Sequence, residues 1–357
     1  MSRGFSGLRA FPAIVIAAAT ALCGGSVIAA ERVTVDNFAR VETDHYFKER
    51  ADAGCFGKFC HEPGPRAVDR QAVIRLNRDT PYSAAVFDLS SPVTIVKPDT
   101  GKRFQSMVVI NEDHYVKQTA YEPGSYTLTQ DKMGTRYVQV VFRTFMDPND
   151  TADVEAVHAL QGQIKAIQSE PGKFEVPDWD QDERQQLHDA LLRLGPFVPN
   201  SRGMFGDEAN TDEVSHLVGT AGGWGGNPPQ DALYMNVNPK GNDGQTPHAL
   251  TNKDVPVDGF WSITVYNPKG FYEAPENAIS VNKRHGEKGC RRRGDRAFWG
   301  RSRPAQLSAH HARLELHRSP LPTEAGSIGR QVDLSGGESG ELSHLSQLGS
   351  LDRTQFI

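Results

Sequence analysis

Between Ala72 and Phe145 the chain is written almost entirely in short runs that suit extended backbone. They read VIRLN, AAVFDLS, VTIVK, FQSMVVIN, SYTLT and TRYVQVVFRTF, and are divided by turn-forming stretches such as PDTGK at 98–102, EPG at 122–124 and DKMG at 131–134. Successive side chains of a strand point to opposite faces, so several short apolar-rich strands must close a face against a second layer. The pattern predicts a mainly β fold with a sandwich at its N-terminal end.

The period changes after Phe145. In DPNDTADVEAVHALQGQIKAIQ, Val154, Val157, Leu160, Ile164 and Ile167 recur at three- and four-residue steps behind Asp150 or Thr151 as caps, which predicts a helix. A second helix is predicted over DERQQLHDALLRL, stopped by Gly195 and Pro196. Further strands follow at ALYMNVN and FWSITVYN. The expected division is a leader over 1–30, an N-terminal β domain over 31–150, a helical linker over 151–199 and a C-terminal β domain over 200–284. GTAGGWGGNPP lacks the Lys-Ser/Thr that a phosphate loop needs and runs into Pro228 and Pro229, so it is read as a tight glycine loop packing Trp224.

The first thirty residues combine Arg3 and Arg9 with a short apolar stretch and a small-residue exit, the pattern of a secretory signal peptide. A periplasmic or secreted protein is expected, with no membrane span once the leader is cleaved. The net charge of -5 gives no general attraction to nucleic acid, and no nucleic-acid partner is expected. In an oxidising compartment Cys55 and Cys60 are disulfide candidates. Free thiols, or a metal site with His61, are the alternatives, although no second ligand pair follows at metal-site spacing.

Two polar clusters stand where a plain sandwich would not need them. RLNRDTPYS places Asn77, Arg78, Asp79, Thr80 and Tyr82 together, and VINEDHYV places Asn111, Glu112, Asp113, His114 and Tyr115 together; Arg136 and Tyr137 add a third, smaller group. An arginine fork suits an anionic or hydroxylated ligand, and Asp113 beside His114 could orient an imidazole for acid/base work. Each cluster could equally be structural. The candidate ligand-binding residues are Asn77, Arg78, Asp79, Tyr82, Asp113, His114 and Tyr115. HExxH, GxSxG, Walker and GxGxxG words are absent from the sequence, so neither a catalytic residue nor a cofactor is assigned.

The blocks VIRLNRDTPYSAAVFDL, SMVVINEDHYV, YTLTQDKMGTRYVQVVFRT, GTAGGWGGNPPQDALYMNVNP and VPVDGFWSITVYN, in that order, resemble a bacterial two-domain family made of domain of unknown function 1254 followed by domain of unknown function 1214. The resemblance covers about residues 35–283. It implies an immunoglobulin-like first domain and a jelly-roll-like second one, and brings no catalytic residues with it. The cysteine pair departs from the family pattern. A larger departure follows Lys283, where relatives continue with a segment resembling PNCLPxxPGWNYxVRLYRP. Synonymous codons for residues 305–321 exist whose shifted frame reads PNCLPITPGWNYTVRL. The sequence is therefore read as out of frame from about residue 284, with 285–357 a disordered tail and the second domain incomplete. The expected function is an exported envelope protein binding a small polar ligand through its β domains, with an enzyme of unassigned chemistry left open. The alternatives are a non-catalytic envelope structural or interaction module and, more weakly, a hydrolase using Asp113 and His114.

Overall fold

The computed structural model describes residues 30–71, 74–148, 150–198, 200–237, 248–252, 259–273, 279–282, 295–299 and 311–317. In chain order its elements are α1 (Phe38–Asp52), β1 (Cys60–His61), β2 (Tyr82–Asp88), β3 (Val93–Lys97), β4 (Gln105–Asn111), β5 (Val116–Ala120), β6 (Gly124–Leu128), α2 (Gln130–Met133), β7 (Tyr137–Thr144), α3 (Thr151–Gln161), β8 (Lys165–Gln168), α4 (Gln181–Leu194), α5 (Glu213–Gly223), β9 (Ala232–Val237), β10 (His248–Asn252), β11 (Trp261–Tyr266), β12 (Ser280–Asn282), β13 (Asp295–Trp299) and β14 (His311–His317). The fold is mostly β, in antiparallel sheets, with helices set against them. The leader, Ala30 excepted, and Cys290 lie outside the described residues.

The first sheet runs β1-β2-β7-β4-β5 and faces a smaller one, β6-β3-β8. Phe87, Ile95, Met107, Val109, Leu128, Val140 and Phe142 meet between them as one apolar cluster. The opposite face of the large sheet is covered too. Phe47 of α1 packs on Val86 and Tyr137, while Val108, Ile110 and Val116 receive Trp224. Burial on both faces explains why β4 and β7 are buried at every position instead of alternating. Phe38 and Val41 of α1, Leu191 of α4 and Val218 and Ala221 of α5 form a second core within the helical layer.

The expected linker behaves differently along its length. Asp150 caps α3 by accepting from the backbone N–H groups of Ala152 and Asp153, as its sequence suggests. The helix stops at Gln161, and Lys165–Gln168 becomes β8, paired antiparallel with β3. Ile164, expected on the helical face, is instead part of the sandwich core, and Ile167 is exposed. Arg103 fixes α3 through a two-pronged pair with Asp153 at 2.6 and 3.0 Å. The first half of the expected spacer thus closes the first sandwich. The helix α4, from Gln181 to Leu194, agrees with its sequence pattern.

Two further differences carry physical reasons. VIRLN does not form a strand where it is described, because Arg75 adopts a left-handed φ of 56°. In the stretch expected to be a disordered tail, His311–His317 pairs with β11 on one side and β9 on the other, and Asp295–Trp299 pairs with β10. HARLELH alternates polar and apolar residues strictly, which is the period a strand requires. The rest of 285–357 lies outside the described residues.

Candidate functional site

Asn77 organises the first cluster. Its Oδ1 accepts from the N–H groups of Asp79 (2.8 Å) and Thr80 (3.2 Å) and from the Thr80 hydroxyl (3.1 Å), so the segment turns tightly into β2 with Asn77 and Asp79 buried. Tyr82 stands opposite Arg143 of β7 in the sheet register, with the guanidinium 5.5 Å from the ring centre. The buried Arg143 donates to the carbonyl of Gly225 at 2.9 Å. Arg75 donates to the carbonyl of Gly222 at 3.1 Å, and its own N–H donates to Gly270 at 2.8 Å. Two residues beyond Gly270, Tyr272 carries Arg78 over its ring at 5.7 Å.

The second cluster is a turn held by Asn111. Its Oδ1 accepts from the N–H groups of Asp113 (3.1 Å) and Tyr115 (2.9 Å), which throws His114 into a left-handed φ of 64°. His114 Nε2 accepts from the N–H of Gly225 at 2.8 Å. The proton therefore sits on Nδ1, which donates to the Thr220 hydroxyl at 2.8 Å, and Thr220 donates in turn to the carbonyl of His216. Burial, with His216 adding to it, holds the His114 imidazole well below its usual pKa. The Asp113 carboxylate turns the other way, to Arg40 at 2.6 and 2.9 Å. Asp113 and His114 are thus neighbours in sequence and not an acid/base pair, because the left-handed turn sends their side chains apart. Tyr115 stacks on His216 at 4.7 Å.

Both clusters meet where α5 gives way to the glycine loop; Gly219–Gly223 of the stretch expected to be a loop are helical, and the loop itself begins at Trp224. Arg75 and Arg143 hold the carbonyls of Gly222 and Gly225 from one side, while His114 holds the N–H of Gly225 from the other. Trp224 packs between the large sheet and Tyr46 of α1, whose ring lies at 4.6 Å, in keeping with the expected packing role. A Cβ at Gly226 would fall 2.5 Å from the Phe205 ring, so the loop admits no larger residue there. Arg75 and His114 are also the non-glycine residues with positive φ among those described. Strain of this kind costs about 1–3 kcal/mol per residue and persists only where the surroundings enforce it. Sequence reading missed Arg143 and Thr220 because they come from separate elements, and passed over Arg75, which heads RLNRDTPYS, because its partners Gly222 and Gly270 are far along the chain; the glycine run was the signal for them.

The remaining sequence candidates have structural partners within the sandwich. Cys55 and Cys60 are joined by a disulfide with Cα atoms 5.4 Å apart, and His61 Nδ1 meets the Ser83 hydroxyl at 2.8 Å. Arg136 grips the buried Asp88 at 2.8 Å. Burial works to raise the Asp88 pKa, but donation from Arg136, Ser90 and the Lys173 N–H outweighs it and holds the carboxyl down to about 2. A folded-state pKa below the unfolded value contributes stability above the unfolded value, lost as pH falls through the folded one. Arg136→Ala is expected to cost about 2 kcal/mol near neutral pH and to begin acid unfolding at a higher pH than wild type. Urea titrations at neutral and acid pH check both.

The strand order β1-β2-β7-β4-β5 with β6-β3-β8 spans the segment that a family model recognises. Residues 56–168 match protein of unknown function DUF1254. The DUF1254 segment starts within the disulfide loop and ends with β8, so it includes both polar clusters but not the glycine loop. Among solved structures, the VPA0106 protein from Vibrio parahaemolyticus is similar with a TM-score of 0.59 at 15% identity, over 79% of this chain and 92% of that one. A putative uncharacterized protein from Burkholderia cenocepacia is similar at 13% identity with a TM-score of 0.47, over 80% of this chain and 84% of the other. No curated protein matches the chain.

Proposed function

We propose that this chain is an exported envelope protein that binds a small polar ligand where the DUF1254 sandwich meets the glycine loop and the segment that follows β11. The observation that carries the reading is the convergence of Arg75, Arg78 and Arg143 with the rings of Tyr82 and Tyr272 around the segments Gly222–Gly225 and Gly270–Tyr272. Guanidinium forks and aromatic faces together suit a small anionic or hydroxylated molecule. Asn77 and Asp79 set the turn that presents Arg78, and His114 braces the loop from behind, with Tyr115 stacked on His216 of α5. Ligand binding without assigned chemistry is the core of the reading.

The same reading takes the sandwich as immunoglobulin-like and the sheets formed after residue 230 as a jelly-roll-like domain of the DUF1214 kind. It retains the leader as a signal peptide, and the text after about residue 284 as out of frame. The nucleotide sequence around codon 284 tests that last point directly.

The envelope interaction module is the second reading, favoured by the exposure of Phe197 (82%), Val214 (62%) and Leu194 (45%) on the helical layer. A thermal-shift screen of small carboxylates, phosphates and sugars separates the two. A binder at about 100 times its Kd adds roughly 2.7 kcal/mol of stability. Under the ligand reading at least one compound stabilises the wild type and fails to stabilise Arg78→Ala. Stabilisation by no compound in the panel favours the interaction module.

A further inference from the structure

Three consecutive polar residues of α1, Glu42, Thr43 and Asp44, are almost completely buried at 1%, 0% and 2% exposure. Two of them are matched. Glu42 accepts from Arg184 of α4 at 2.7 Å, with His188 at 3.8 Å, and the Thr43 hydroxyl accepts from the Trp224 indole at 3.1 Å. Asp44 is half matched: Oδ2 accepts from the Trp179 indole at 2.9 Å, while Oδ1 has no hydrogen-bond partner among the described residues. The nearby cation, Arg40 on the same helix, is spent on Asp113 at 2.6 Å, with Glu112 at 3.9 Å. Glu112 itself accepts from the Tyr137 N–H at 2.9 Å. Three carboxyl groups therefore share one guanidinium, and the most buried of them has no ion-pair partner among the described residues.

From the elements packed on this region, the other titratable groups are His45 on α1, Arg184 and His188 on α4, and His114 on the Asn111–Tyr115 turn. His216 on α5 reaches the Asp113 carbonyl at 3.0 Å, and α1 also carries Tyr46 and, beside His45, Glu49. In none of them does the structure show a direct contact with Asp44. A proton is the smallest group that neutralises this carboxyl where it lies.

We propose that α1 is a proton-held latch: a proton on Asp44 seats the helix against the Glu112–Asp113 turn, and its loss loosens the helix. Burial is the main influence on Asp44, and it moves the carboxyl from 3.8 to about 7; Trp179 and Arg40 work against the rise, and Glu112 and Asp113 add to it. Glu112 is raised in the same way, chiefly by burial. A folded-state pKa above the unfolded value gives stability that is fully present below the unfolded value and lost as pH rises through the folded one. The window thus runs from about pH 4 to about pH 7. The latch bears on the glycine loop, because Tyr46 and Phe47 of α1 contact the Trp224 ring at 4.6 and 6.2 Å and Thr43 holds its indole N–H.

Hydrogen exchange of the full chain, followed in peptides from α1 at pH 5 to 8 and corrected for intrinsic rates, tests the latch. The opening constant of α1 is expected to rise at least about tenfold per pH unit up to about pH 7 and then flatten; in Asp44→Asn the rise is expected to shrink to the part that Glu112 contributes. A flat wild-type profile, or an Asp44→Asn profile with the wild-type slope, overturns the proposal. Glu112→Gln is a second variant that keeps the test decisive if Asp44→Asn does not fold. Removing the neighbouring carboxyl is expected to bring the flattening point to lower pH, and an unchanged flattening point counts against the latch.

Discussion

Replacing His114 by alanine is expected to destabilise the fold by about 3–4 kcal/mol. The imidazole is buried and makes two hydrogen bonds, from the Gly225 N–H and to the Thr220 hydroxyl, while its ring packs on Trp224 at 5.5 Å. Truncation leaves a buried N–H without an acceptor, at about 1–3 kcal/mol, and opens a void among Phe205, His216 and Trp224. Alanine gains nothing at a φ of 64°, since it is disfavoured there as well. A urea midpoint that falls by the expected amount with an unchanged slope supports the brace. A loss under about 1 kcal/mol means that the ring does not hold the loop. Because the residue is structural, loss of binding in this variant alone would not identify a ligand contact; Arg78 is the cleaner probe.

Gly226→Ala should also be costly, by about 2–3 kcal/mol. Its added methyl would sit 2.5 to 2.6 Å from three Phe205 ring carbons, and Phe205 is buried and bounded by His114 and Tyr234. Neither side can yield cheaply, so the loop has to move away from His114 and Arg143. Thermal denaturation with tryptophan emission as the probe reads both consequences, a lower midpoint and an altered Trp224 environment. Wild-type stability in Gly226→Ala would show that the loop is not closely packed.

The strands of the sandwich were legible because each run carried its own turn signals; AAVFDLS, VTIVK, FQSMVVIN and TRYVQVVFRTF all map onto β2, β3, β4 and β7 within a residue or two. The helix α1 was not legible. Its Glu42, Thr43 and Asp44 face inward, so polar identity and burial disagree and no apolar stripe marks it. Lys165–Gln168 was misread because two isoleucines three apart fit a helix as well as they fit the margin of a small sheet, and pairing with β3 decided between them. α5 was hidden by glycines that helix propensity disfavours, yet Gly219 is required there by the approach of Met204, whose Cβ would lie 2.8 Å from any added methyl.

The candidate site followed the same division. Asn77, Arg78, Asp79, Tyr82, Asp113, His114 and Tyr115 could be picked out as polar residues beside strands, but outside the local Asn77–Asp79 turn the partners come from elsewhere in the chain. Arg143 lies 61 positions after Tyr82 and Gly225 lies 111 positions after His114, so only folding brings them together. Local sequence also suggested an Asp113–His114 couple that a left-handed φ takes apart.

The central claim is that the arginines and rings around the glycine loop form a binding site. Calorimetric titration of a thermal-shift hit into the wild type and into Arg78→Ala tests it most directly. The expected result is saturable binding to the wild type that weakens at least tenfold in Arg78→Ala, a loss of about 1.4 kcal/mol or more, measured well below the unfolding midpoint of either protein. Equal affinity for both proteins would place the ligand elsewhere and contradict the claim.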